Sequence, residues 1–203
     1  MSIKRALLSF QRDERAVSAG EFALVVPVLL IFLLGTIDVG LYIWSVNRAE
    51  KAVQIGTRWA VATDMIPSGL AAHSFAVTDG IPQGTVVPAS AFPGITCTQG
   101  GCNCDGPCTF PTTMNSTAFN ALVERMQDIE SDIDPTDVTV NYAHSGLGFS
   151  GDPNGPDVAP IVTVSVDGLT YQPMTFAVFG QTLDLPNYRY SLTAEDSAGD
   201  FSN

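Results

Sequence analysis

Four cysteines fall within twelve residues, CTQGGCNCDGPC, as Cys97, Cys102, Cys104 and Cys108. Thiols this close either oxidise in pairs or, as thiolates, close a tetrahedral zinc site. A Cys102–Cys104 link across one residue would strain the ring. That leaves two frameworks open, Cys97–Cys102 with Cys104–Cys108, or Cys97–Cys104 with Cys102–Cys108. The spacing C-x4-C-x-C-x3-C lacks the paired C-x2-C knuckles of zinc sites. In an oxidising compartment the cluster therefore reads as a structural disulfide clip on a Gly/Pro-rich loop. Nothing beside it marks a lowered thiol pKa.

The other residues capable of chemistry are sparse. Asp128, Glu130, Asp132, Asp134 and Asp137 form an acidic series, and GDPNGPD (151–157) forms another. Both evoke calcium, but the first lacks the glycine and terminal glutamate of an EF-hand loop and is interrupted by Ile129 and Ile133. Solvated carboxylates are the better reading. His73 and His144 are the only histidines, and Ser145 beside His144 proves nothing, since a triad is defined by geometry. There is no Gly-rich phosphate loop and no His-based metal motif. No cofactor, no metal and no enzymatic activity are expected.

The elements that must carry these residues begin with an apolar helix. Phe22–Ile37, FALVVPVLLIFLLGTI, holds no charge, and after Asp38 the apolar run continues to Val46. A bilayer core of about 30 Å needs about 20 helical residues, which places the span at about residues 22–41. Glu21 stands at its mouth. Asp38 falls about one turn inside the far interface, where it is expected to reach the headgroups or a neighbouring helix. Tyr42 and Trp44 follow at the level of an aromatic belt. No small-x-small site follows closely, so the segment reads as a retained anchor. Residues 1–16 form a polar leader-like arm, and 17–63 one long helix carrying Pro27, Gly35, Gly40 and Gly56. Past the membrane its apolar stripe steps through Val46, Ala49, Val53, Gly56 and Ala60 by threes and fours.

Residues 64–203 are expected to form an α+β domain, an antiparallel sheet with one or two helices against it. TAFNALVERMQDIES carries Phe119, Leu122, Val123, Met126 and Ile129 at helical spacing, capped by Asn115 or Ser116. VTVNYA (138–143), IVTVSVDGLTY (161–171) and YRYSLT (188–193) read as strands. Charge divides the same way as hydropathy. Residues 1–58 hold seven of the nine Lys and Arg, and the remaining 145 hold two against sixteen Asp and Glu, a net of −14. So acidic a domain repels phosphate backbones, which excludes nucleic acid as a partner. The short leading arm and the downstream cysteines favour the N-terminus inside and the bulk outside.

RDERAVSAGEFALVVPVLLIFLLGTIDVGLYI, followed by NRAEKAVQIGTRWAVA, resembles the N-terminal region of TadE-like proteins, minor pseudopilins of the bacterial tight-adherence (Flp-type) pilus system. The likeness rests on Glu21–Pro27, on Asp38 with Gly40, and on Ala52 or Val53 leading into Gly56, Arg58 and Ala60. It is strong over residues 12–63 and weaker beyond. The resemblance implies a single-pass inner-membrane protein with a periplasmic domain, working in pilus assembly beside other pilin-like proteins. It also implies processing by a prepilin peptidase between Ala16 and Val17, which would make Glu21 the fifth mature residue. The family pattern has glycine where Ala16 stands. Glu21 and Asp38 are then the expected helix-registration or partner contacts, with membrane lipid around the span. The alternatives are a membrane-anchored periplasmic binding module and a metal-dependent envelope enzyme with an atypical cysteine site.

Overall fold

The computed structural model describes residues 14–175 and 180–194, with side chains from residue 19 onward. Most of the leader-like arm, residues 1–13, lies outside the described residues. Helix α1 runs Glu14–Val61 without a break at Pro27. A proline inside a helix costs one main-chain hydrogen bond, which lipid-embedded helices accommodate by local adjustment. The described residues make two compact units. One comprises α1 to Trp44 together with Tyr171–Leu183, and the other comprises Ser45–Thr170 with the residues from Asp184 onward.

The larger unit is α+β, as the alternating and 3.6-residue patterns require. Two short helices, α2 (Ser68–Ala71) and α3 (Phe75–Thr78), precede a hairpin of β1 (Ile95–Thr98) and β2 (Gly101–Cys104). Then come α4 (Ser116–Gln127), a 3-10 turn (Pro135–Asp137), β3 (Val138–Ala143) and β4 (Ile161–Val166). A two-stranded ribbon of β5 (Thr170–Tyr171) and β6 (Leu183–Asp184) separates β4 from β7 (Tyr188–Thr193). The main sheet has the order β2-β1-β3-β4-β7 and is antiparallel throughout.

Strict alternation sets the register. Val138, Val140 and Tyr142 of β3 pair opposite Val166, Val164 and Val162 of β4, and all six are fully buried. Each buried valine contributes about 1.5–3 kcal/mol of transfer free energy, and a one-residue slip would turn all six outward. Helix α4 buries Phe119, Leu122, Val123 and Met126, and Asn115 caps it by accepting from the Ala118 amide at 3.0 Å. The amphipathic half of α1 contributes Ala49, Ala52, Val53 and Ala60 to the same core. Thr57 on that face donates to the Val53 carbonyl and lies 3.3 Å from the carbonyl of Tyr190 in β7. At Gly56 the two helices come so close that an added Cβ would lie 2.7 Å from Met126 Cγ and Sδ. A stripe of small residues thus serves the domain's own core.

Thr98–Gly101 closes a tight hairpin around Gln99 and Gly100. Two sequence expectations are corrected. The strand expected over 161–171 ends at Val166. Gly168 takes a positive φ of 87°, a region glycine enters freely, and Thr170–Tyr171 pairs elsewhere. Helix α1 also spans Glu14–Val61 rather than residues 17–63, so it begins within the last residues of the expected arm.

Candidate functional site

From Phe22 to Ile37, α1 is apolar on every side. Phe22, Leu24, Val28, Ile31 and Phe32 are all widely exposed on it. A contiguous surface of this kind is not left to water. The helix is long and apolar enough to cross a bilayer, as a single-pass anchor requires. Glu21 is exposed at the start of this surface and makes no hydrogen bond or ion pair with another described residue. Ala16 and Val17 lie in the opening turns of the helix.

Asp38 behaves differently. Its side chain is buried, with 7% of the residue exposed. The carboxylate accepts from the main-chain amides of Met174 at 2.8 Å and Thr175 at 2.9 Å, and from the Thr175 hydroxyl. The Tyr171 hydroxyl donates to the Asp38 carbonyl at 3.5 Å, and the Tyr171 ring meets Tyr42 edge-to-face with centroids 5.8 Å apart. Asp38 and Tyr42 are one helical turn apart, so both face the same way. The expectation that Asp38 reaches the headgroups is thereby corrected. A carboxylate in a low-dielectric setting is tolerated when its lone pairs are filled, and here the chain's own amides fill them. Between the α1 face of Ile31, Leu34, Gly35 and Val39 and the Pro173–Met174 turn lies an open apolar groove of about 720 Å³.

Asp38 and Thr175 are separated by 137 positions, and no local pattern links them. One signal was present: Gly168–Leu183 is sixteen residues without a charge inside an otherwise acidic domain.

In the larger unit, the remaining candidates bond to neighbours within that unit. Cys97 pairs with Cys102 and Cys104 with Cys108, the first of the two frameworks. Cys97 and Cys102 are also direct partners across the β1–β2 hairpin. The acidic series does not converge on one point. Glu130 is buried beside Arg48 at 3.5 Å, Asp128 meets Arg125, and Asp134 and Asp137 form a capping box. Arg48 also donates to the Ile129 carbonyl, at 2.8 Å from Nε, a clamp that its place on the polar face of α1 did not announce. Burial pushes the Glu130 carboxyl above its ordinary pKa although Arg48 pulls it down. Thr136, donating to Asp134 from its amide and hydroxyl, holds that carboxyl below its ordinary pKa.

The second acidic stretch is likewise engaged. Asp157 accepts from the amides of Phe75 and Asp152. His73 bonds Asp79 at 2.8 Å, His144 bonds the Val87 carbonyl, and Ser145 donates to the Ala159 carbonyl rather than to a histidine. Among the described residues no group of His, Cys, Asp and Glu is arranged to hold a metal.

The family model for TadE-like protein matches residues 16–58. This match lies wholly within α1 and includes Glu21, Asp38 and Gly56. The family is associated with the Tad pilus and is generally non-enzymatic. No curated protein and no solved structure gave a match to the chain.

Proposed function

We propose that this chain is a non-catalytic minor pseudopilin, or assembly protein, of a Flp-type (tight-adherence) pilus. The observation that carries the reading is the TadE-like match over residues 16–58, together with an exposed carboxylate, Glu21, at the mouth of the apolar span inside it. In this reading α1 holds the protein in the inner membrane, and the acidic α+β domain stands in the periplasm. A prepilin peptidase cuts between Ala16 and Val17 and leaves a charged α-amino group at the new terminus. Glu21, four residues on, then pairs with the amino terminus of a neighbouring pilin-like subunit. Pairing offsets part of the desolvation a lone carboxylate would suffer at the membrane boundary.

The mass of the mature N-terminus, measured with and without the peptidase, tests the processing step. A start at Val17 that depends on the peptidase is expected, and an intact 15–17 junction would refute it. For registration, Glu21→Gln is expected to lower pilus number and crosslinking to pilin-like partners; unchanged values would remove that role.

A second reading, an anchored binding module that stays out of the pilus, draws on one observation. Ala49, Ala52, Val53, Gly56 and Thr57, all within the matched stretch, are buried in the chain's own domain. The partner-facing part of the match would then be its membrane half alone. Recovery of the protein in sheared pilus fractions separates the two.

A further inference from the structure

The Tyr171–Leu183 segment belongs to the same compact unit as the membrane half of α1. Its described residues, Tyr171–Thr175 and Gly180–Leu183, include no charge. Met174 is 59% exposed and Leu183 47%, so two large apolar side chains stand outward, beside the exposed but uncharged Gln172, Gln181 and Thr182. We propose that the segment's Tyr171–Thr175 and Gly180–Leu183 stretches form a lobe that is a second membrane-contacting element, seated among lipid acyl chains beside α1 and latched there by Asp38. The proposal rests on α1 being a membrane span and not on any role in a pilus.

Three observations converge on lipid as the occupant of the groove. Its helical wall, Ile31, Leu34, Gly35 and Val39, is part of the span itself, so the groove is continuous with the surface that lipid covers. Asp38 stands about one turn from the far end of a span of about 20 residues. The Pro173–Thr175 turn that bonds it therefore lies at the acyl-chain boundary. At that depth no water is at hand for free amides, and irregular backbone persists only where its polar groups are satisfied within the protein. The Asp38 carboxylate satisfies two of them, at Met174 and Thr175. This supplies a reason for a carboxylate inside the span: it solvates a turn that dips into the membrane. Tyr42 and Tyr171, packed edge-to-face beside it, are the residue type that favours the headgroup level.

The test uses the full chain reconstituted in phosphatidylcholine–phosphatidylglycerol nanodiscs. Single cysteines are introduced as Met174→Cys, Leu29→Cys and Val86→Cys, each at an exposed position, and spin-labelled. Unsubstituted protein is carried through the same labelling to establish the background of the four native cysteines. Collision of the label with oxygen, which concentrates in lipid, is compared with collision with a water-soluble nickel chelate. Labels at 29 and 174 are expected to favour oxygen, and the label at 86 to favour the chelate. If 29 favours oxygen while 174 matches 86, the lobe is aqueous and the proposal is overturned with the span intact. If 29 itself favours the chelate, the span is lost and the proposal with it. A label at 174 shielded from both reagents would mean that protein, a second copy or another helix, fills the groove, which overturns lipid as the occupant. Adding Asp38→Ala to the 174-labelled chain is expected to shift it towards the chelate. No shift would overturn the latch.

Discussion

Gly56 offers the sharpest check on how α1 serves the domain. Replacing glycine by alanine inside a helix ordinarily stabilises it by about 1 kcal/mol, because the unfolded chain has less freedom to lose. At this position the new Cβ would stand 2.7 Å from Cγ and Sδ of Met126 and 3.3 Å from Cδ1 of Leu122. Carbon contacts settle at about 3.5–4.0 Å, so α4 must retreat or Met126 must find another rotamer. Met126 is fully buried and has little room to do so. Overpacking of this kind costs about 1–3 kcal/mol. Set against the helical gain of about 1 kcal/mol, Gly56→Ala should range from neutral to about 2 kcal/mol destabilising. Gly56→Val has more bulk and less helical gain, and should lose about 1–3 kcal/mol.

The assay is thermal unfolding of the full chain in mild detergent, followed by near-ultraviolet circular dichroism. A loss of 1–3 kcal/mol lowers Tm by roughly 2–12 °C for a chain this size. Gly40→Ala is the control, since a Cβ there meets nothing within 4 Å, and its Tm should not fall. If Gly56→Val melts no lower than the control, α1 and α4 do not approach as described. The packing account of the second half of the matched stretch would then be wrong.

Three further outcomes are expected. Arg48→Ala removes the guanidinium from the Ile129 carbonyl and Glu130, and should cost about 1–3 kcal/mol at neutral pH, less than a fully buried pair because Arg48 is partly exposed. Because Glu130 has a raised pKa, its proton is held more tightly in the native chain. That contribution is complete below about pH 4.5, its ordinary value, and fades as pH rises through the higher native value. Glu130→Gln should therefore gain stability relative to the parent chain as pH is raised from 4 to 7 in denaturant titrations, and a parallel pair of curves would refute this. For the cysteines, a non-reducing peptide map should link Cys97 to Cys102 and Cys104 to Cys108, and a Cys97–Cys104 peptide would reject this framework.

The matched stretch has two unlike halves. Its membrane half presents apolar side chains and Glu21 outward, as a surface for lipid or other helices. Its second half turns Ala49, Ala52, Val53 and Gly56 into a domain core. The same small-residue periodicity that suits helix–helix contact in a membrane is spent here on α4 and the sheet. Periodicity in the sequence identified the stripe and favoured the domain core over a partner helix, but it did not show that α4 would meet it at Gly56.

What the sequence by itself determined was local. Sixteen uncharged residues made the span, threes and fours made the amphipathic half of α1 and α4, and alternating β-branched residues made β3, β4 and β7. These patterns are properties of neighbours along the chain, so they survive without a fold. The tertiary structure decided what depends on distant residues. It chose between the cysteine frameworks by forming a hairpin around Gln99 and Gly100. It brought the Ile129 carbonyl to Arg48, 81 positions away, and the Thr175 amide to Asp38, 137 positions away. A carboxylate inside an apolar helix signals only that a partner must exist, since burial without one is too costly. Which amides fill that need is settled when a main-chain turn from the far side of the sequence folds against it.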